Sequence, residues 1–412
     1  MSSGGANTVL QTSLERRSKL IAYTIIVAFG WFLVGIDAFL FFFGGTFIFS
    51  ALHVNAYYLG VAAAGYAIGA IVFSMVGGYV FDRLTTRNGI LISLAIITLF
   101  SALTGFATNK YEVVIYRVLV GFGTGMIQPQ IAAFLGEMRP KYRATMIETG
   151  LFALFLGLAV APLIFNHFST PTTFDIPFLI SGASGVVLML LTVFIVPSKY
   201  RTKMNPIRGL LKNIGKPLIL AALSYLALGI AFFAYQSYYT PYLIANGISE
   251  ATASIIVSLF GFAGIALAYP GGLAGDRFNR KYVILLAIIL FLIGGVIMFE
   301  APVTIGIMAF GVILFGAGYV IYGNIQAYAQ ESVESAWASS SNGFILAIFN
   351  IGSATGGPLM GTLIVLYGYH LAAIGAVVVP LLVSIGLMGF APRLKKRTEI
   401  SQAITEKASG KR

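Results

Sequence analysis

The feature that most constrains this chain is a recurrence. Apolar runs of about 18 or more residues return throughout its length, parted by short polar or glycine- and proline-rich links. A run of that length crosses a hydrocarbon core of roughly 30 Å at about 1.5 Å per residue. The runs fall at 20–50, 56–81, 88–107, 111–135, 142–168, 174–197, 217–244, 250–275, 281–300, 302–330, 337–366 and 369–391. They predict twelve membrane-spanning helices, hence an all-α polytopic membrane protein. A β-barrel is excluded, because its strands alternate apolar and polar residues and these runs do not. Only 10% of residues are charged and 58% are hydrophobic, against about a quarter charged in soluble domains. The first run is too long for the h-region of a signal peptide, so it reads as a span. There is no cysteine, which removes disulfides and thiolate metal sites.

A net charge of +12 could suggest nucleic acid, but its distribution argues against that. Of 26 Lys and Arg residues, all but Lys110 and Arg117 fall on one side of the twelve-span topology. This is the positive-inside bias, which places both termini in the cytoplasm and reports contact with anionic headgroups. The expectation is a multi-pass plasma-membrane protein. Its partners are then lipid, a small solute and protons, with no nucleic acid and no obligate protein partner.

The longest polar stretch, SKYRTKMNPIRGLLKNIGK at 198–216, splits the spans six and six. The predicted organisation is a tail at 1–19, a bundle at 20–198, a linker at 199–216, a bundle at 217–392 and a basic tail at 393–412. The halves repeat at one offset. GGYVFDR at 77–83 returns as GGLAGDR at 271–277, and Glu137 returns as Glu331, both displaced by 194 residues. Val118/Val312, Ile127/Ile321, Ile131/Ile325 and Ala133/Ala327 keep the same register.

Two six-helix bundles with these motifs resemble the major facilitator superfamily of transporters. The superfamily's loop pattern stands here as Gly78, Asp82, Arg83 and Arg87, and again as Gly272, Asp276, Arg277, Arg280 and Lys281. The fourth-span pattern stands as Arg117, Gly121, Gly123 and Gly125, and the pattern after it as Glu137, Pro140 and Arg143. The resemblance covers essentially the whole chain and implies alternating access between two bundles. In physical terms, glycines near helix ends admit close approach. The acids and cations of these loops, with Glu137 and Glu331 as partners, would then latch a cytoplasmic gate. Solvated loop charges that merely set orientation are the plainer account, and the recurrence at one spacing favours the latch.

Function is expected where the repeat fails. Asp37, Arg117 and, near its helix start, Glu148 are ionisable residues inside spans; their counterparts are the uncharged Ala231, Gly311 and Asn342. A charge in the bilayer persists when paired or when it lines water. Asp37 and Arg117, on spans 1 and 4, are therefore expected to meet, in the central cavity. Arg117, Gly121, Thr124 and Gln128 share one helical face that would turn inward. A static ion pair is one account; a proton site, in which protonation of Asp37 releases Arg117, is the favoured one. Resemblance to proton-coupled symporters of the superfamily implies the same role for an acid on span 1 beside an arginine on span 4. Glu148 completes the proton-coupling group, although five residues past Arg143 it reads first as an interfacial acid facing loop cations.

The second half offers Tyr235, Gln236, Tyr239, Tyr322, Gln326 and Asn350, which with Gln128 form the expected solute site. GIDAF and YYTPYLIANGIS resemble the sugar porters, and IDAFLFFF resembles the monocarboxylate and organic-acid symporters. An acid could use Arg117 once Asp37 is protonated. The resulting expectation is proton-coupled symport of a small organic metabolite, an organic acid or a sugar-like solute. A proton-driven exporter is the alternative and a non-transporting receptor a remote one. His53, His167 and His370 stand singly near loops, so neither an enzyme, a metal site nor a cofactor is expected.

Overall fold

A computed structural model describes residues 3–54, 57–81, 84–138, 142–169, 173–198, 210, 214–334 and 337–394; side chains of 3–20, 46, 57, 75–81, 133, 137, 138 and 339 are not described. Among the described residues the chain is all helix. The helices are α1 (Ser3–Ala51), α2 (Tyr57–Phe81), α3 (Thr86–Thr104), α4 (Lys110–Met138), α5 (Arg143–Phe168) and α6 (Asp175–Ile195). The second half continues with α7 (Lys216–Ala245), α8 (Glu250–Arg277), α9 (Arg280–Glu300), α10 (Ile305–Ala317), α11 (Ile321–Glu331), α12 (Ala338–Ala373) and α13 (Val379–Phe390).

These helices give twelve spans. The tenth is α10 and α11 joined by a 3-10 turn at Gly318–Val320. The eleventh and twelfth share one apolar stretch, Ser340–Phe390, divided where Gly368 adopts φ 77° and ψ 175°. That conformation suits only a residue without Cβ. The tenth span runs on through its 3-10 turn as expected, Ile305–Glu331 forming one apolar stretch. One departure from expectation follows: residues 3–19, expected as a tail, carry the helix of the first span. Of the predicted linker, 199–209 and 211–213 lie outside the described residues.

The contacts repeat as the sequence does. In the first half α1 packs on α5, α2 on α4 and α3 on α4; in the second α7 packs on α12, α8 on α10 and α9 on α10. Glycines set the closest of these approaches. A Cβ on Gly35 would sit 3.2 Å from the backbone nitrogen of Leu158, and one on Gly229, 194 residues later, 3.1 Å from that of Ser353. The repeat register therefore holds at spans 1 and 7, and Ala231 is the true counterpart of Asp37. The halves meet along α5 against α8 and α2 against α12. Outer faces carry exposed apolar side chains such as Leu190, Phe194, Leu286 and Ile293, as lipid contact requires.

Candidate functional site

Asp37 and Arg117 do meet. The Arg117 Nη1 and Nη2 atoms donate to Asp37 Oδ2 and Oδ1 at 2.9 and 3.1 Å, a bidentate pair with both side chains 1% exposed. Nη2 also donates to the Thr104 hydroxyl at 2.9 Å, and the guanidinium lies 4.8 Å from the Phe41 ring centroid. Fork geometry and a stacked ring compensate the two terminal nitrogens of the buried guanidinium, while its Nε has no hydrogen-bond partner among the described residues.

Their location corrects one expectation. The pair is not in the central cavity. It is enclosed within the first half by the last residue of α3 and by Phe178 of α6, 6.0 Å away. The cavity is bordered by an adjoining face of α1, through Val34, Ala38 and Phe42. The face of α4 bearing Arg117 turns toward α2, against which Gly121 and Gly125 pack, and Gln128 is the member of that face that reaches the cavity. Tyr66 lines the cavity and also lies within electrostatic range of both charges, so it stands between pair and solute space.

The space between the halves here amounts to about 480 Å³ with open solvent included, and only a small part of it is enclosed. Its polar groups are Gln128, Gln236, Tyr322 and Asn350; its walls are Phe42, Tyr66, Phe232, Phe233, Tyr319 and Phe349. No charged side chain among the described residues lines it. Tyr322 donates to the Gln128 amide oxygen at 2.7 Å. This bond joins the two halves across the cavity, 194 residues apart in sequence. Of the seven expected solute residues, four line this space. Tyr235 and Tyr239 line a smaller apolar space with Phe39 and Val257, which Gln236 also reaches. Gln326, one turn beyond Tyr322, is fully buried and lines neither. The cavity phenylalanines escape sequence reasoning because Phe is common in every span; Tyr319, three residues before Tyr322, is signalled by helical spacing alone.

At the basic end the acids act differently from expectation. Asp276 of α8 accepts from the backbone N–H of Ala144 and Thr145 at 3.4 and 2.7 Å and from the Thr145 hydroxyl at 2.6 Å. This acid caps α5 of the other half, so the tie between halves is carboxylate to helix N-terminus. Among the described residues Arg280, and not Arg277, bonds Asp276 and Glu331, each at 2.8 Å; Arg277 is exposed. Gly272 permits the approach, since a Cβ there would lie 2.7 Å from Thr145 Cα. Arg87 and Arg143 are half-buried at this end. Asp82 and Arg83 and the side chains at Gly78 and Glu137 lie outside the described residues.

Glu148 is the second correction. It is not interfacial: it is 0% exposed, and its Oε1 accepts from the backbone N–H groups of Gly323 and Asn324 at 2.8 and 3.2 Å. No group of three or more metal-ligating side chains occurs among the described residues.

Comparison with known proteins agrees with this architecture. "Uncharacterized MFS-type transporter YcaD" of Shigella flexneri serotype 5b (strain 8401) is 22% identical over 308 residues, 74% of this chain and 79% of that protein. Its counterpart in Escherichia coli O45:K1 (strain S88 / ExPEC) matches to the same extent. The fold superposes on the proton:xylose symporter XylE bound to 6-bromo-6-deoxy-D-glucose with TM-score 0.71 at 16% identity, covering 92% of this chain and 97% of that one. A point mutant of the nucleoside transporter NupG superposes with TM-score 0.67 at 16% identity, covering 89% and 98%. The Major Facilitator Superfamily profile matches residues 27–245 and again 218–410. With spans, repeat and seams in agreement, the chain belongs to the Major Facilitator Superfamily: it is a multi-pass membrane transporter and not an enzyme.

Proposed function

We propose that this transporter is a proton-coupled symporter of a small, uncharged, hydrogen-bonding solute, sugar-like in its chemistry. The observation that carries the proton half is the sealed Asp37–Arg117 pair. A bidentate ion pair in a low-dielectric interior has two discrete states, and a proton on Asp37 converts one into the other by leaving Arg117 without its anion. The ring of Tyr66 and the α1 residues Ala38 and Phe42 connect that change to the cavity wall.

The solute half rests on the cavity's lining of two glutamines, an asparagine and a tyrosine hydroxyl among aromatic faces. Such a lining bonds hydroxyls and stacks flat apolar faces but supplies no charge to an anion. Arg117, the cation an acid would use, is engaged by Asp37 and Thr104 and does not line the cavity. An uncharged solute is thus preferred over the organic acid that IDAFLFFF suggests. The solute would occupy the space between bundles 20–198 and 217–392, near the membrane midplane. The one-sided cation distribution supports cytoplasmic termini and plasma-membrane insertion, with Gly78, Asp82, Arg83, Arg87, Glu137, Arg143, Gly272, Asp276, Arg277 and Glu331 at a cytoplasmic gate.

The test is transport in proteoliposomes, after a thermal-shift screen of sugars, nucleosides and small acids identifies a solute. Asp37→Asn should abolish accumulation driven by a pH gradient while solute counterflow persists. Accumulation by Asp37→Asn against a gradient would end the proton-site reading.

A further inference from the structure

We propose that Glu148 is a second proton-binding site, which holds the basic-end seam between the two halves closed while ionised and releases it when protonated. Its place in a transport cycle rests on the reading above, whereas the latch itself rests on geometry alone. Glu148 lies in the second turn of α5 in the first half. Its three hydrogen bonds, from the N–H groups of Gly323 and Asn324 and from Asn324 Nδ2 at 3.4 Å, all come from α11 in the second half. The helix tightens into a 3-10 turn at Gly318–Val320, just before α11. The N–H groups of Gly323 and Asn324 beyond it are aimed at the Glu148 carboxylate. The carboxylate of one half therefore accepts backbone N–H bonds from a helix of the other half.

The slot is cut for this side chain. A Cβ on Gly323 would lie 2.8 Å from Glu148 Cδ, and one on Gly272 of α8 would lie 2.9 Å from Glu148 Cβ. Among the described residues no cation pairs with it, and its Oε2 has no hydrogen-bond partner. The charged group that acts on it is Asp276 of α8; the titratable groups that face it are Tyr225 of α7, Tyr319 of the 3-10 turn and Tyr322 of α11. Its negative charge is thus balanced by N–H dipoles and opposed by a second carboxylate. Protonation turns charge-assisted bonds into neutral ones, roughly half as strong.

The repeat isolates the effect to one seam. The counterpart of Glu148 in the packed repeat is Gly343 of α12, not Asn342: Gly157 meets Phe32 and Ile36 of α1 as Gly352 meets Leu226 and Ile230 of α7, which relates α5 to α12 by 195 residues. The mirror position therefore has no side chain to titrate. A proton at Glu148 acts on a group that the mirror seam does not have at the same place.

The absence of native cysteine permits a direct test. Asn88→Cys and Phe278→Cys, exposed at the basic end of opposite halves, would carry spin labels in the purified full-length protein in nanodiscs, without solute. As pH falls, the distance distribution should shift toward longer separations. Glu148→Gln should hold the long population at every pH, and Glu148→Asp, which keeps the charge, should retain a pH-dependent shift and so show that the fold survives. Asp37→Asn should also retain the shift, which separates this latch from the proton site above. A pH response in Glu148→Gln equal to the parent's, a loss of the response in Asp37→Asn alone, or no response in the parent would each overturn the proposal.

Discussion

Removing the guanidinium of Arg117 would leave the Asp37 carboxylate 1% exposed and without its cation. Breaking a buried pair from one side costs about 3–5 kcal/mol, because the remaining charge is stranded. Arg117→Ala should therefore lower the thermal midpoint in detergent markedly. Adding Asp37→Asn should recover most of that loss, since the stranded charge disappears, while leaving accumulation dead. A double variant no more stable than Arg117→Ala would show that the pair does not carry the stability assigned to it. At this scale the sequence was informative about partners and silent about direction. Asp37 and Arg117 are recognisable because each interrupts an apolar run. That they face Thr104 and Phe178 rather than the cavity depends on where α3 and α6 lie, which no periodicity records. Glu148 was misplaced for a related reason. Its sequence neighbour is a loop cation, Arg143, but its partners are two backbone N–H groups, which no residue letter announces.

At the scale of elements, glycine decides where helices break and touch. The division of the last two spans is visible at Gly368, and the close contacts of α1 on α5 are implied by Gly35. The 3-10 turn within the tenth span leaves no mark in GAGYVIYGN, whose glycines could equally serve packing. Gly318 in fact packs its bare Cα against Phe291 and Ala287 of α9. This gives a contrast between two glycine-to-alanine changes. Helix propensity alone favours alanine by about 1 kcal/mol within a helix. At Gly386 nothing lies within 4 Å of an added Cβ, so Gly386→Ala should leave the thermal midpoint unchanged or raise it slightly. At Gly323 the added Cβ meets the Glu148 carboxyl carbon at 2.8 Å, and the steric term wins. Gly323→Ala should reproduce the long-distance population of Glu148→Gln in the spin-label measurement. If both alanines behave alike, Gly323 is not reserved for the carboxylate.

For the whole molecule, the twofold repeat supplies the scaffold and its violations supply the chemistry. Gln128 and Tyr322 join the halves at the cavity, and Asp37, Arg117 and Glu148 lie away from it, sealed in the first half or in one seam. Among the described residues the cavity is therefore lined without charge, and this has a measurable electrical consequence. A proton carried with an uncharged solute moves one positive charge per cycle; a proton carried with a monocarboxylate moves none. An inside-negative potential of about 100 mV contributes about 2.3 kcal/mol per charge, equivalent to roughly 50-fold accumulation at about 1.36 kcal/mol per tenfold. In proteoliposomes with equal pH on both sides, imposing that potential with a potassium gradient and valinomycin should drive accumulation toward this ratio. Asp37→Asn should remove the response while counterflow continues. Uptake that follows a pH gradient yet ignores the potential would mean that the solute carries the compensating negative charge. The organic acid would then displace the uncharged solute, and the cavity would have to recruit Arg117 in a conformation other than this one.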